Sequence, residues 1–290
     1  MLLALLKTMR PRQWAKNAAV FVTLVFDSKL FDPLYLSRTA IAFVLLCLLA
    51  SAVYIVNDIA DIEKDRLHPK KRFRPLAAGS LSKNVAVAAA ALFLVAALGG
   101  GFALHFNFGI LAALYLVVNL LYSFWLKNVV IVDVLLVASG FVIRVGAGTV
   151  LVDAVRFSPW LYVCTTLLSL FILLGKRRHE ISILSIEANN HRPVLANYNH
   201  ELLDQMIGIV TTCAIIAYSF YTFSAENLPE NHAMMLTVPF VLYGIFRYLY
   251  LIHVQREGGA PDELLFRDRP LLIAVALWVI SVVGILYFGQ

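Results

Sequence analysis

The sequence predicts an all-α protein that crosses a membrane many times. Of its 290 residues, 61% are hydrophobic and only 14% are charged, and its mean hydropathy is +0.80. The hydrophobic residues occur in runs of about 17 to 22, the length that a helix needs to cross a bilayer. An ordinary soluble domain is therefore excluded. No segment rich in Pro, Gly or Ser divides the chain, so we expect one integral-membrane domain over residues 1–290.

Nine of these runs are predicted to be spans, centred near residues 24, 46, 93, 116, 140, 167, 213, 242 and 280. Asn17, Asp27 and Lys29 interrupt or flank the first run. With nine spans, most of the 24 Lys and Arg fall in loops on the side of the N-terminus, and the opposite loops hold only Lys29, Arg38 and Arg156. Because cytoplasmic loops are enriched in positive charge, the N-terminus is expected inside.

The net charge, the cysteines and the N-terminal residues favour a protein surrounded by lipid and not one that binds nucleic acid. The net charge of +6 is explained by this topology and by anionic lipid, so no nucleic acid is needed. Cys47, Cys164 and Cys213 all lie in apolar runs, where they are expected to be small packing residues and not disulfide partners. Residues 1–6 are apolar and precede the first positive charges, which predicts an interfacial helix instead of a cleavable signal.

The strongest chemical signal follows the second apolar run. Asn57 is followed by Asp58, Asp61 and Asp65, which are spaced i, i+3 and i+7. If the segment is helical, the three carboxylates share one face and can hold one or two divalent cations. A cationic loop comes next, with Lys70, Lys71, Arg72 and Arg74. Carboxylates beside such a loop favour a magnesium-chelated diphosphate, and the alternative is a charged loop that caps a membrane helix.

A second cluster precedes and enters the fifth predicted span. Tyr122, Lys127 and Asp133 can all face a cytoplasmic cavity, and the alternative for this segment is an interfacial aromatic belt with a snorkelling lysine. Arg144 lies deeper in the same span. Because a buried arginine in a membrane is costly and usually partnered, it either pairs with Asp133 or binds a lipid phosphate.

A third cluster closes the sixth predicted span, with Lys176, Arg177, Arg178 and Glu180. Anchoring at the cytoplasmic side explains part of this charge, and guanidinium groups also suit phosphate oxygens. Glu180 can orient Lys176 or complete a metal shell. Near the N-terminus, Arg10, Arg12 and Lys16 add further donors around the interfacial anchor Trp14.

A faint internal repeat relates residues 37–80 to residues 155–200. The offset that separates the pair Arg74-Pro75 from the pair Arg192-Pro193 also carries Asp58 onto Lys176. One half would then be built for metal and its counterpart for anions. Polytopic membrane proteins often contain such repeats.

The run Asn-Asp-x-x-Asp-x-x-x-Asp after the second span, with Tyr122-Ser123 and Leu126-Lys127 before the fifth, resembles the UbiA superfamily of intramembrane prenyltransferases over essentially the whole chain. The resemblance implies a UbiA-like bundle of nine helices around a central cavity that opens to the cytoplasm, in the inner membrane of a bacterium. The usual members carry a second aspartate motif after the sixth span, where this sequence has the basic residues 175–180 instead.

That departure and the basic segments resemble one branch of the superfamily, the decaprenyl-phosphate phosphoribosyltransferases. These enzymes move 5-phosphoribose from phosphoribosyl pyrophosphate (PRPP) to a polyprenyl phosphate, release pyrophosphate, and thereby make a precursor of cell-wall arabinan. By resemblance, Asp58, Asp61 and Asp65 would be the catalytic residues that, with Asn57, bind Mg²⁺ on the pyrophosphate. The remaining expected PRPP ligands are Lys16, Asn57, Lys70, Arg72, Arg74, Tyr122, Lys127, Lys176, Arg177, Arg178 and Glu180. Asp133 and Arg144 would serve the lipid phosphate, and the resemblance leaves room for a homo-oligomer.

Two other functions fit parts of the sequence. An aromatic prenyltransferase with a polyprenyl diphosphate donor is the main alternative, and the missing second aspartate motif speaks against it. A transporter would account for the repeat and for Arg144 and Arg247 within spans, but transporters usually have broken helices at mid-membrane. A phosphoryl acceptor is already anionic, so the predicted transfer needs no general base.

Overall fold

A computed structural model describes residues 1–69, 71–153, 159–184, 193–225, 228–259 and 261–289. The regular structure in these residues is helical throughout. They form two compact units, one of Met1–Leu126 with Ile143–Val155 and one of Lys127–Val142 with Arg156–Gln290. Lys70 and Arg192, which carried sequence predictions, lie outside the described residues, as does part of the second half of the predicted repeat.

The α-helices, in chain order, are α1 Leu2–Met9, α2 Val22–Phe26, α3 Pro33–Ala60, α4 Ile62–Leu67, α5 Lys83–Leu104, α6 Phe106–Phe124, α7 Val132–Leu151, α8 Pro159–Leu184, α9 His200–Ser224, α10 Val238–His253, α11 Pro261–Arg267 and α12 Arg269–Phe288. Shorter 3₁₀ helices are Lys71–Phe73, Leu126–Asn128, Pro193–Asn197 and Ala233–Thr237, and a longer one is Pro11–Phe21. The start of α7 belongs to the second unit and its end to the first.

Local sequence fixes several helix starts. Asp32 caps α3 by accepting hydrogen bonds from the backbone N–H groups of Leu34 and Tyr35, and Pro33 occupies the first turn, where no N–H donor is needed. Asn199 caps α9 in the same way, through the N–H of Leu202. These caps satisfy donors that a helix leaves unpaired at its N-terminus.

Eight helices of the described residues are long and apolar enough to cross a membrane. They coincide with eight of the nine predicted spans, those centred near residues 46, 93, 116, 140, 167, 213, 242 and 280. The protein is therefore an integral, multi-pass membrane protein.

The run near residue 24 forms two short pieces instead of one long helix. The 3₁₀ helix Pro11–Phe21 has 11 residues and α2 has 5. The ninth predicted span is therefore not a single long helix in the structure, unlike the other eight.

The first unit is held together by small residues at its helix contacts. α3 packs against α5 and α6, with Leu46, Leu49 and Ile55 fully buried and alanines of α5 and α6 facing them. Lipid tails are as apolar as leucine, so close packing, and not apolar burial alone, stabilises such contacts. The carbonyl oxygen of Val20 lies against Gly148 of α7, at a place that a Cβ atom would fill.

The second unit packs α8 against α9 and α10 against α12. Its core contains Phe171 and Leu174 of α8, Leu203 of α9 and Leu251 of α10. Gly175 lets α8 approach α10 closely, since a Cβ there would lie 2.6 Å from Ile252. This contact fixes the position of the basic segment that begins at the next residue.

Candidate active site

The aspartate motif lies across the junction of two helices. α3 ends at Ala60, and Asp61 forms the turn before α4, with φ −100° and ψ 9°. The N–H of Asp61 donates to the carbonyl of Asn57 at 3.0 Å and the N–H of Asp65 to that of Asp61 at 2.8 Å. The helical spacing therefore continues through the turn, and Asp58 and Asp65 can face the same side.

Arg74 joins these two aspartates. Its Nη1 lies 3.1 Å from Asp58 Oδ1 and 2.7 Å from Asp65 Oδ2. A second arginine, Arg10, places Nη2 at 2.6 Å from the same Asp58 oxygen and its guanidinium over the ring of Tyr54. The carboxylates of Asp58 and Asp65 are only 3% and 4% exposed, whereas both arginine side chains are about ten times more exposed. The arginines thus cover and neutralise two buried charges, which would be costly if unpaired.

Asp61 differs from its two neighbours. Its side chain is half-buried, and within the described residues it makes no hydrogen bond or ion pair. Asn57, one turn earlier, is also half-buried and has no side-chain partner in that part of the chain. These two side chains are therefore available to a ligand without breaking an existing contact.

The donor set of this cluster fits Mg²⁺. Carboxylate and amide oxygens are the hard ligands that Mg²⁺ prefers, and Arg74 shows that one cationic group can be shared by Asp58 and Asp65. The described residues contain no preformed group of three His, Cys, Asp or Glu side chains that could enclose a metal. Proteins usually hold Mg²⁺ through one or two carboxylates together with substrate phosphates.

The other predicted cations of this unit have separate surroundings. The Arg72 guanidinium lies over the ring of Phe73, 4.9 Å from its centre, in the exposed loop after α4. Lys16 donates a hydrogen bond to Gln13 Oε1 at 2.5 Å within the 3₁₀ helix Pro11–Phe21. Trp14 of the same helix donates to the hydroxyl of Ser51 of α3 at 3.1 Å. In the loop after α4, Arg74 is brought to the aspartates, where it contacts both Asp58 and Asp65.

A second polar group of the first unit surrounds Arg144. Its Nε donates to Asn17 Oδ1 at 2.7 Å and its Nη2 donates to the hydroxyl of Tyr115 at 2.8 Å. Asn17 is buried and also donates to Cys47 Sγ at 3.3 Å. The costly arginine in the span is thus oriented by partners from the N-terminal 3₁₀ helix and from α6.

In the second unit, Arg177 is held between two carboxylates. Its Nε lies 3.0 Å from Asp133 Oδ2 and its Nη1 lies 2.5 Å from Glu180 Oε2. Arg177 and Asp133 are 5% and 0% exposed. The ion pair has the right distance, but Asp133 Oδ2 accepts no aligned hydrogen bond from the described residues. Arg177 therefore belongs to a buried ionic group.

Tyr198 completes this group. Its hydroxyl donates to Asp133 Oδ1 at 2.7 Å and accepts from the N–H of Ile131, also at 2.7 Å. Burial raises the pKa of Tyr198 to about 12, so the hydroxyl keeps its proton at physiological pH. Tyr198 thereby fastens the segment before α9 to the start of α7.

The other two cations of the basic segment differ from each other. Arg178 makes a two-pronged contact with Asp204 of α9, at 2.5 and 3.2 Å. Lys176 is half-buried, and in the described part of the chain its side chain has no hydrogen bond or ion pair. The same holds for Lys127. Of the predicted phosphate ligands in this unit, the two lysines are the ones not already paired with a protein carboxylate.

Comparison with known proteins identifies the fold family. The sequence model of the UbiA prenyltransferase family matches residues 18–267. The chain belongs to this family. Its UbiA domain therefore includes both the aspartate cluster and the basic segment at the end of α8.

Relatives of this UbiA chain have been named for their activity. A protein named decaprenyl-phosphate phosphoribosyltransferase from Mycolicibacterium smegmatis is 32% identical over 98% of this chain and 93% of its own length. One of the same name from Corynebacterium glutamicum is also 32% identical, over 98% and 86% of the two chains. Among solved structures, a UbiA homologue from Archaeoglobus fulgidus bound to GPP and Mg²⁺ superimposes with a TM-score of 0.75, at 17% identity, over 98% of this chain and 99% of that one.

Several residues of the candidate site were not assigned to it from the sequence, although Arg10 was named among the donors near the N-terminus. Arg10 reaches Asp58 across 48 positions, and a basic segment with several arginines gives no signal of which one does so. Tyr115 and Tyr198 were equally hidden, because tyrosines are common in membrane helices and at their ends. The signal for Arg10 is structural: it has φ 55°, a conformation that ends α1 and begins the next helix.

Proposed function

We propose that the protein transfers 5-phosphoribose from PRPP to a polyprenyl phosphate and releases pyrophosphate. The observation that carries the proposal is the 32% identity over nearly the full chain to proteins named decaprenyl-phosphate phosphoribosyltransferase. It is supported by the charge of residues 175–180, which suits a substrate with more phosphate groups than a prenyl diphosphate has.

Asp58, Asp61 and Asp65, with Asn57, are proposed to hold Mg²⁺ against the pyrophosphate of PRPP. When bound, Mg²⁺ supplies positive charge that stabilises the departing pyrophosphate. The Archaeoglobus fulgidus structure, which contains GPP and Mg²⁺, supports a divalent ion in this fold. Arg74 lies against the same carboxylates and places further positive charge there.

Lys176 and Lys127 are proposed to bind the ribose 5-phosphate. Both are free of protein carboxylates among the described residues, so a phosphate would be their first counter-ion. Arg177 and Arg178 are already paired with carboxylates, and we assign them to holding the end of α8 in position. Glu180 acts with Arg177 in that role.

Tyr122, Lys16, Arg72 and Lys70 remain proposed contacts of the phosphates or of lipid headgroups. Arg144 is proposed to bind the lipid phosphate, oriented by Asn17 and Tyr115. Asp133, which is fully buried, is proposed to act by holding Arg177 and Tyr198 in place.

In the reaction, an oxygen of the lipid phosphate forms a bond to the anomeric carbon while the bond from that carbon to pyrophosphate breaks. The attacking oxygen is already anionic, so no proton has to be removed and no residue is assigned as a general base. Positive charge from the arginines and lysines offsets the negative charge that is transferred to pyrophosphate. We further propose that the site faces the cytoplasm of a bacterium, because the predicted topology gathers the positive loops on that side.

The test uses membranes that contain the protein, with Mg²⁺, a polyprenyl phosphate and PRPP labelled in its 5-phosphate. Label should enter the organic phase, and EDTA should prevent this. If label stays in water while a polyprenyl diphosphate and an aromatic acceptor give a product, the protein is an aromatic prenyltransferase and the proposal is wrong.

A further inference from the structure

Arg74 occupies the position at which Asp58 and Asp65 would share a metal ion. Its Nη1 is within 3.1 Å of one carboxylate oxygen and 2.7 Å of the other. An ion bound to both oxygens has to lie between them, as this nitrogen does. Arg74 and a metal shared by these two oxygens therefore exclude each other.

The charges of Asp58 and Asp65 are already balanced by two arginines. Arg10 and Arg74 neutralise Asp58 and Asp65. A bare divalent cation at these carboxylates would therefore lie close to two guanidinium groups and would bring no counter-ion of its own. Like charges a few ångströms apart repel strongly where water is scarce. A diphosphate changes this balance, because its oxygens accept paired hydrogen bonds from guanidinium groups.

The structure also indicates which partner can move. Asp58 and Asp65 are buried side chains on helices, whereas Arg74 follows the short 3₁₀ helix Lys71–Phe73 in a loop and its side chain is 29% exposed. Arg74 can turn toward a ligand without opening the core, while the carboxylates stay in place.

We propose that Arg74 is an exchangeable cation, which neutralises Asp58 and Asp65 until a metal ion arrives together with a diphosphate and which then transfers to the diphosphate. The inference rests on the proposed function, since the diphosphate is the leaving group of that reaction. Its consequence is coupled binding: the protein takes up the metal–diphosphate complex far better than the free metal.

The test separates two affinities that Arg74→Gln should change in opposite directions. Mn²⁺ serves as a spectroscopic probe for Mg²⁺ on the full-length protein in detergent, and its binding alone is followed by electron paramagnetic resonance. Without Arg74 to compete, Mn²⁺ alone should bind about tenfold more tightly than to wild type. Labelled inorganic pyrophosphate at saturating Mn²⁺ should bind about tenfold more weakly, because one guanidinium donor is lost.

Arg66→Gln is the matched control. It removes one positive charge from the same segment, but Arg66 pairs with the exposed Glu63 at 2.9 Å and does not touch the buried aspartates. Both affinities should stay within about twofold of wild type. A control that changes as much as Arg74→Gln would show a general charge effect and overturn the proposal.

Unchanged or weaker binding of Mn²⁺ alone in Arg74→Gln would also overturn it, since Arg74 would then not compete with metal. If this variant does not fold, wild type alone decides the question. Mn²⁺ should bind to it at least about tenfold more tightly with pyrophosphate present than without it, and equal affinities would contradict the proposal. Failure of the proposed function would give a different result from failure of this inference. Wild type would then transfer no phosphoribose, but Mn²⁺ binding to wild type and to Arg74→Gln would still decide the role of Arg74.

Discussion

Replacing Lys176 and Arg177 in turn should separate substrate binding from stability. Lys176 makes no ion pair or hydrogen bond within the described residues, so Lys176→Gln breaks no polar contact that these residues make. If it binds a phosphate, the lost charged hydrogen bond is worth about 1.5 to 3 kcal/mol, which corresponds to a rise of about 10- to 150-fold in the PRPP concentration for half-saturation. The thermal stability of the protein should not change.

Arg177→Gln should show the opposite pattern. Arg177 and Asp133 are 5% and 0% exposed, and removing one member of a buried ion pair typically costs about 3 to 5 kcal/mol. Glu180 would lose its partner as well. The variant should therefore unfold at a clearly lower temperature than wild type.

The assay combines PRPP saturation curves in membranes with thermal unfolding in detergent. Lys83→Gln is a suitable control, because Lys83 is an exposed lysine that begins α5 and lies outside the proposed site. A Lys176→Gln protein with an unchanged saturation curve would refute the assignment of this lysine. An Arg177→Gln protein as stable as wild type would refute the buried ionic group.

Three further predictions concern other parts of the molecule. Asp61→Asn should lower turnover at least about 100-fold, because Asp61 is proposed to bind metal. The protein should still fold, since the Asp61 side chain has no partner in the described residues. Glu63→Gln is the control, and turnover retained by Asp61→Asn at saturating Mg²⁺ would contradict this role of Asp61. The hydrogen bond from Arg247 lowers the pKa of Asp268, so the stability it adds is present above the unfolded pKa of about 3.9 and is lost as the pH falls through the lower folded value. When the pH is lowered from neutral to below about 4, the free energy of unfolding should therefore fall less for Arg247→Gln than for wild type. Unfolding curves at both pH values measure this, and an equal fall would count against the linkage. In a cysteine-free protein, the introduced thiol of Glu230→Cys should react with an impermeant reagent added outside the cell, and that of Arg72→Cys should not. The reverse result would contradict the proposed orientation.

The hydrophobic pattern was sufficient to predict most of the fold. Each of the eight long helices coincides with an apolar run, because length and hydropathy alone decide whether a helix can cross a bilayer. The segment before α3 was harder to predict, since Pro11–Phe21 is a 3₁₀ helix and few such helices exceed one turn. Near its end, Val20 packs tightly against Gly148, which is remote in sequence.

The sequence indicated the residue types of the candidate site but not how these residues pair. The i, i+7 spacing indicated that Asp58 and Asp65 share a face, and Arg74 does lie against both. Spacing could not reveal that Arg177 is enclosed by carboxylates while its neighbour Lys176 is not. Such pairings are set by contacts between separate helices, and they determine which charge remains available to a substrate.

The most direct test of the proposed reaction follows both ends of PRPP at once. Purified protein receives Mg²⁺, a polyprenyl phosphate and PRPP that carries one isotope in the 5-phosphate and another in the terminal phosphate of the pyrophosphate. Phosphoribosyl transfer predicts that the first label enters the lipid and that the second is released as pyrophosphate, in equal amounts. If both labels remain together in water under conditions in which the protein is folded and binds metal, the proposed reaction is contradicted.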